Sequence, residues 1–413
     1  MMKTAKMTVV VLAIVALSGA ALAAEQNWKN DTMLVSLRDK NTTVCRAAEP
    51  DKVLFQHKDA QLAIEWAMAN ATTTVVTPGH YVTNDSIDAP RDGVTLIIDQ
   101  GASIKVDPDA NHKTNITFRS SSSRGKYSQQ LVPVVYVFNR NNVRVYNFGD
   151  LQSSNWNHPD QELPKPELYK DRSLRFIKEE ITGRNGQTFP IVFDGRNEKL
   201  TCGVQGGVMV NTGTAHNFAL GIDCEDLEVP LACPVPSGVD AVLCLEGCHN
   251  AKVGWVVNIA PVDKDGKRGG TGEVLDLNSS CTSTSVDFAL GENTRLELID
   301  SNASQLTIGE IVAVNKSKEF KFDKLLIESG GSGQRWTYRD RRHSPASIGK
   351  EVRLDDVVDV KRTINLPKLP DALPRFDVVA TLELTMKDGS TKTYEKTITI
   401  DTEKKDDVDA GKK

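Results

Sequence analysis

This chain has 413 residues, 39 % apolar and 25 % charged, enough for one extended core or for two or three globular ones. Fifty Lys and Arg against 55 Asp and Glu leave a formal charge of −5. That balance gives no bulk attraction to nucleic acid or to anionic membranes and argues against both as partners.

Lys3 and Lys6 precede an apolar run from Met7 to Leu17, and small residues end in Ala21-Leu22-Ala23-Ala24. A basic start, a short apolar run and an Ala-x-Ala cleavage site read as a secretory leader over residues 1–23. The mature chain is therefore expected to be secreted, either extracellular or periplasmic. No stretch reaches the roughly 20 apolar residues of a membrane span. Residues 24–58 read as an irregular lead-in. Asp59 is a candidate N-cap for a helix through Asn70, in which Leu62 and Trp66, Ala63 and Ala67, and Ile64 and Met68 sit four apart. Next, Thr74–Val82, Val94–Asp99 and Ala102–Val106 read as strands separated by Gly turns. Residues 108–131 and 150–190 are polar, with Pro159, Pro164 and Pro166, and read as long loops. Beyond residue 328, Gly330-Gly331-Ser332-Gly333 marks a break. A basic stretch, Arg335–His343, follows it. Phe376–Met386 and Thr391–Ile400 then flank the hairpin turn Lys387-Asp388-Gly389-Ser390. Residues 401–413 are almost wholly charged or small and are expected to be disordered.

The organising signal lies in residues 191–328. An apolar-x-apolar phrase followed by an amide or carboxylate recurs as Val208–Asn211, Leu243–Glu246, Leu275–Asn278 and Val312–Asn315, with Val135–Asn139 a looser relative. The second apolar anchors are 35, 32 and 37 residues apart, and each phrase leads through a polar turn into a second alternating stretch. A strand-corner-strand unit at that period predicts a solenoid, each rung burying the edge of the last. Asn211, Asn278 and Asn315 are expected at one corner of successive rungs, bonded to one another as a ladder. The helix at 60–70 would close the open end of the stack, with Trp66 in the core. The fold class expected is all-β: a right-handed parallel β-helix over residues 24–329, a short N-terminal capping helix, and a C-terminal β cap or appendage over 330–400.

Ala60–Ala67 followed by Val75-Val76-Thr77-Pro78-Gly79-His80-Tyr81 resembles the opening of the pectate-lyase-like β-helix superfamily, where a helix of the form A-I-x-x-A precedes V-x-x-P-x-G-x-Y. Gly79 directly after Pro78 departs from that pattern by one residue. Gly93–Ile104 and Asn142–Gly149 are similar to its next two coils. The resemblance implies a secreted protein acting on polysaccharides through a groove on one parallel sheet. The N-T-D, G-H-G and paired-Asp signatures of polygalacturonases and the calcium-dependent lyase signatures are missing. No catalytic residue is carried over from the family.

Candidate chemistry therefore rests on residue types. A lyase acting on uronates needs a base, a cation for the carboxylate and an acid for the leaving oxygen. Arg335, Trp336, Tyr338, Arg339, Arg342 and His343 offer that set, with Tyr338, His343 and Arg339 catalytic and Arg335, Trp336, Arg342 and His216 holding substrate. The competing reading of this stretch is a solvated basic linker. Asp223, Asp276 and Asp287 fall at outward positions of the rungs. Such carboxylates can hold Ca²⁺ or act as a hydrolase pair, and they serve solubility equally well. Export makes disulfides permissible: Cys224 with Cys233 can staple a loop, and Cys244 and Cys248 flank a corner. Zinc at Cys244, Cys248 and His249 is the competing reading. The function expected is a polysaccharide lyase cleaving an anionic, uronate-containing chain by β-elimination. The alternatives are a glycoside hydrolase using rung carboxylates and a non-catalytic binding or structural solenoid. Homo-oligomerisation through the solenoid flanks is compatible with the sequence.

Overall fold

The computed structural model describes residues 27–107, 109, 110, 112, 116–119, 127–155, 188–194, 208–211, 217–234, 241–259, 273–278, 281–292, 298–301, 303–315, 327–328 and 347–403. The first described strands form an antiparallel meander, β1 (Thr32–Arg38), β2 (Asn41–Arg46) and β3 (Glu49–His57). This corrects the expectation of an irregular lead-in. The β1–β2 turn is Asp39-Lys40, both at positive φ (48° and 66°). That is the backbone of a tight hairpin without the Asn-Gly or Asp-Gly pair that usually signals one. Helix α1 (Ala60–Asn70) follows, capped by the Asp59 carboxylate, which accepts from the Gln61 amide at 3.0 Å. Its buried face is Ala60, Ala63, Ile64, Ala67 and Met68. Trp66 packs against the edge of that core, half-buried and stacked on Phe55 at 5.1 Å between ring centroids.

From there the chain alternates between two long sheets. The larger carries β4 (Thr73–Val76), β7 (Thr95–Ile98), β12 (Arg144–Asn147), β16 (Val208–Asn211), β18 (Glu228–Ala232), β20 (Lys252–Asn258), β22 (Thr284–Glu292), β24 (Leu306–Val314) and β26 (Ser347–Leu354), all parallel. With the meander added, that sheet has 12 strands. The other has eight: β6 (Ile87–Asp88), β11 (Val135–Phe138), β15 (Thr188–Asp194), β17 (Asn217–Ile222), β19 (Leu243–Glu246), β21 (Leu275–Asn278), β23 (Ile299–Ser301) and β25 (Ile327–Glu328). A three-stranded parallel sheet of β5 (Gly79–Thr83), β8 (Ala102–Val106) and β13 (Asp150–Gln152) joins the two over the first coils. The core runs between the sheets, with Leu96, Val145, Leu243, Leu275 and Ile299 among its buried members. No described helix is long and apolar enough to cross a membrane.

The long sheet bends at one place on every late strand. Pro230, Gly254, Asp287, Gly309 and Gly349 occupy equivalent positions between paired neighbours. Val253 and Val256 both face the core, with Trp255 facing out, so strict alternation is broken there. At Gly254, Gly309 and Gly349 the preceding rung's carbonyl comes too close for a Cβ. A Cβ on Gly309 would lie 2.5 Å from the Asp287 carbonyl oxygen.

The outer face of the 12-stranded sheet is covered. The antiparallel sheet β27 (Val357–Asn365), β28 (Arg375–Met386) and β29 (Thr391–Asp401) lies over it. Phe376, Val378, Leu382, Leu384 and Ile400 meet Tyr146, Phe148, Leu231, Trp255, Phe288, Val312 and Val314 in a second apolar layer. At its far end the stack stops on charge. Ile311 and Ala313 face the core on β24, and Glu351 and Arg353 hold the next positions on β26, paired at 2.6 Å.

The recurring apolar phrase is real, but it is split between sheets. Val208–Asn211 and Leu306–Val314 belong to the large sheet, Leu243–Glu246 and Leu275–Asn278 to the smaller. Asn211 therefore pairs in register with Asn147, and Asn278 with Glu246. Asn315 donates to the Asp355 carboxylate at 3.1 Å. A single ladder of Asn211, Asn278 and Asn315 is excluded by that register. The expected cysteine staple is corrected too. Cys45, Cys224, Cys233, Cys244, Cys248 and Cys281 are all buried, and none of them is in a disulfide. Cys224 lies in the central core and Cys233 in the layer under the C-terminal sheet, on opposite faces of the large sheet.

Candidate functional site

With the outer face of the larger sheet covered, the eight-stranded sheet carries the other long row of outward positions. Val135, Ile191, Ala219, Leu243, Leu275 and Ile299 stack on the core side. Alternation then puts the next residue of each strand outward. That outward column reads Asp88, Tyr136, Val192, Leu220, Cys244 and Asp276 from the first rung on, and the backbone register carries the same position to Asp300 and Glu328. A second outward column holds Phe138 and Ile222, in backbone register with positions 194, 246 and 278. Neighbouring positions in a column are about 4.8 Å apart.

The face has two polar ends. At the first, Tyr136 and Phe138 stack with centroids 5.9 Å apart, and Phe138 is 38 % exposed. Beside them burial raises the Asp88 carboxyl above its ordinary value, against the pull of Arg140. The Asp88 amide donates to Glu65 Oε1 at 3.0 Å, and burial raises the Glu65 carboxyl as well. Arg140 is fixed by donating to the Ala89 carbonyl at 2.8 Å. In the middle, Val192, Leu220, Ile222 and Cys244 are buried. At the second end Asp276 is half-buried, and the Cys244 thiol donates to its Oδ2 at 3.8 Å. Asp300 and Glu328 continue its column on the next two strands.

Arg335, Trp336, Tyr338, Arg339, Arg342, His343 and His216 lie outside the described residues. The three carboxylates considered for Ca²⁺ lie at three different places in the fold. Asp276 is on the outward column just described. Asp223 is at the corner after β17, its Oδ1 occupying the space a Cβ on Gly247 would need. Asp287 is at the bend of the large sheet, paired with Lys396 of β29 at 3.4 Å. Among the described residues no group of three or more His, Cys, Asp or Glu is placed to hold a metal ion. The zinc reading fails geometrically. Cys244 faces outward to Asp276, Cys248 is in the core, and His249 Nδ1 is 2.7 Å from the Thr282 hydroxyl.

Sequence reasoning passed over Asp88, Tyr136, Phe138 and Arg140. The signal was present, since Val135-Tyr136-Val137-Phe138 alternates apolar with aromatic and places both rings on the face away from the core. No family model, curated protein or solved structure matches the chain.

Proposed function

We propose that this chain is an exported right-handed parallel β-helix that binds a glycan on the outward face of its eight-stranded sheet and hydrolyses it with carboxylates of the Asp276 column. Right-handedness is the near-universal sense of a crossover joining parallel strands of one sheet, and the basic, apolar, small-residue leader supports export. The observation that carries the reading is the register of Asp276, Asp300 and Glu328 on three consecutive strands. Glycosidases need two carboxyls about 5–5.5 Å apart to retain configuration, or about 6.5–9.5 Å apart to invert it. Adjacent strands, about 4.8 Å apart, suit the first, and alternate strands, about 9.6 Å apart, suit the second.

In this reading the carboxyl kept protonated donates to the leaving oxygen, and its neighbour acts as nucleophile or water-activating base. The Cys244 thiol steadies Asp276. Tyr136 and Phe138 offer sugar-stacking rings at the other end of the face. A column of carboxylates repels a polyuronate, so a neutral glycan is the better substrate than the anionic chain expected from the basic stretch.

The test is incubation with a panel of neutral and uronate glycans, reading reducing ends and ultraviolet absorbance together. Reducing ends without absorbance are expected, with Asp276→Asn lowering the rate about 10²- to 10⁴-fold. Rising absorbance on uronates would move the chemistry to β-elimination by Arg335, Tyr338, Arg339 and His343. Silence on both would leave a binding or structural solenoid.

A further inference from the structure

Three cysteines stand one above another in the corner that follows the eight-stranded sheet. His249 pairs in parallel with Glu225 on one side and Thr282 on the other, and a cysteine precedes each of the three. The His249 amide donates to the Cys224 carbonyl at 2.8 Å, Thr282 to that of Cys248 at 3.0 Å, and Ser304 to that of Cys281 at 3.0 Å. Those bonds fix Cys224, Cys248 and Cys281 as a column, which Ala303 continues in the same core. All three thiols are fully buried and outside any disulfide. The Cys224 thiol donates to the Phe193 and Ile222 carbonyls at 3.5 and 3.4 Å and lies close enough to the Cys248 thiol to act on it. Cys281 donates to the Leu245 carbonyl at 3.3 Å.

We propose that Cys224 and Cys248 form a disulfide between consecutive rungs when the chain folds in the presence of a disulfide oxidant. Stacked rungs are about 4.8 Å apart, inside the Cα separation of about 4.4–6.8 Å that a disulfide spans. Cys281 sits at the same spacing, but it is the Cys224 thiol that acts on that of Cys248, so Cys248 closes on Cys224. The two thiols lose two protons and two electrons as their S–S bond forms. The oxidant's own S–S bond breaks and takes them up as two thiols. Exchange needs a thiolate, and burial with the neighbouring Cys224 holds the Cys248 thiol well above its ordinary pKa. The bond is therefore made while the rungs are being laid down, before the corner closes, and is shielded from reductants afterwards. It ties two coils together by closing a loop of about 25 residues, which limits the unfolded chain.

The test refolds the full chain with oxidised glutathione or with a reducing dithiol, then quenches in acid and alkylates free thiols. Cleavage at Asp and Glu separates Cys224 from Cys233 and Cys244 from Cys248, because Glu225, Glu228 and Glu246 intervene. Mass mapping is expected to find Cys224 joined to Cys248 only after oxidation, with a higher denaturation midpoint than the reduced form. In Cys248→Ala both the link and the midpoint shift are lost, and Ala303 already shows that the column accepts alanine. Folded, oxidant-treated protein with both cysteines alkylated would overturn the proposal. So would a link to Cys202, Cys233 or Cys281. The mapping uses the wild-type chain, so it does not depend on how the variant folds.

Discussion

Replacing Phe288 with alanine probes the feature that decides where function can reside, the cover over the large sheet. Phe288 faces outward on β22 and is 5 % exposed. Its ring lies 4.7 Å from that of Trp255 on the neighbouring strand and 5.1 Å from that of Tyr394 on β29. A phenylalanine so enclosed loses about 3–5 kcal/mol on truncation to alanine, through lost burial and the cavity left behind. Aromatic pairs of this geometry add about 0.5–1.5 kcal/mol beyond area. Urea denaturation followed by far-ultraviolet circular dichroism should show a lower midpoint with the slope unchanged. A double-mutant cycle with Tyr394→Ala should return a coupling of about 0.5–1.5 kcal/mol, because the two rings touch across the layer. A C-terminal sheet that left the face readily would make Phe288 an exposed strand residue. A change within about 0.5 kcal/mol, together with zero coupling, would then refute the seated cover.

Gly309→Ala should cost about 1–3 kcal/mol by overpacking against the Asp287 carbonyl. Gly389→Ala meets nothing within 4 Å and should cost only about 1–2 kcal/mol for its left-handed turn (φ +85°); equal midpoints for Gly309→Ala and wild type would undo the close-approach argument. Burial raises the Glu65 carboxyl above its ordinary 4.5, so folding favours its protonated form. The associated stability is present below that pH and lost as pH rises through the raised folded value. Glu65→Gln still accepts from Gln61 and the Asp88 amide. It should match wild type near pH 4 and exceed it at pH 7 in thermal melts, and a deficit of one size at every pH would contradict this. Glu351→Val with Arg353→Val makes the last rung apolar toward the core, so sedimentation should show end-to-end association growing with concentration. A strictly monomeric double variant would mean that the charged pair does not guard that end.

Much of this architecture was legible because alternation and period are local properties. Leu275-Asp276-Leu277 announces a strand with one buried face, and its recurrence announces a stack. Which sheet each phrase joins was not legible. Both long sheets present the same inward apolar pattern, and loops of unequal length between strands hide the partner. Hence Asn211 and Asn278 look equivalent in sequence and lie on different sheets. The lead-in hairpin was hidden by a turn of Asp39 and Lys40, neither of which is a residue that seeks positive φ as glycine does. The cover had a sign in the sequence. Val253-Gly254-Trp255-Val256-Val257 is apolar on both faces, as a strand buried on both sides must be.

That last point settles which sheet deserves a functional argument. A groove on the large sheet would need outward side chains able to meet a polar ligand, and Leu231, Trp255 and Phe288 are apolar and enclosed. The eight-stranded sheet has the opposite composition at its two ends, aromatic rings beside Asp88 and Arg140 and then a run of carboxylates from Asp276 onward. Carboxylates repeated at strand spacing oppose folding through their mutual repulsion unless something offsets it. Cys244 gives Asp276 a weak donor, and Asp300 and Glu328 follow directly in register. A stack selected only for stability would alternate charge along that column, as Glu310 and Lys350 do across β24 and β26 at 2.8 Å. Acidic residues kept in register on three consecutive strands are the feature on which the proposed hydrolytic reading rests.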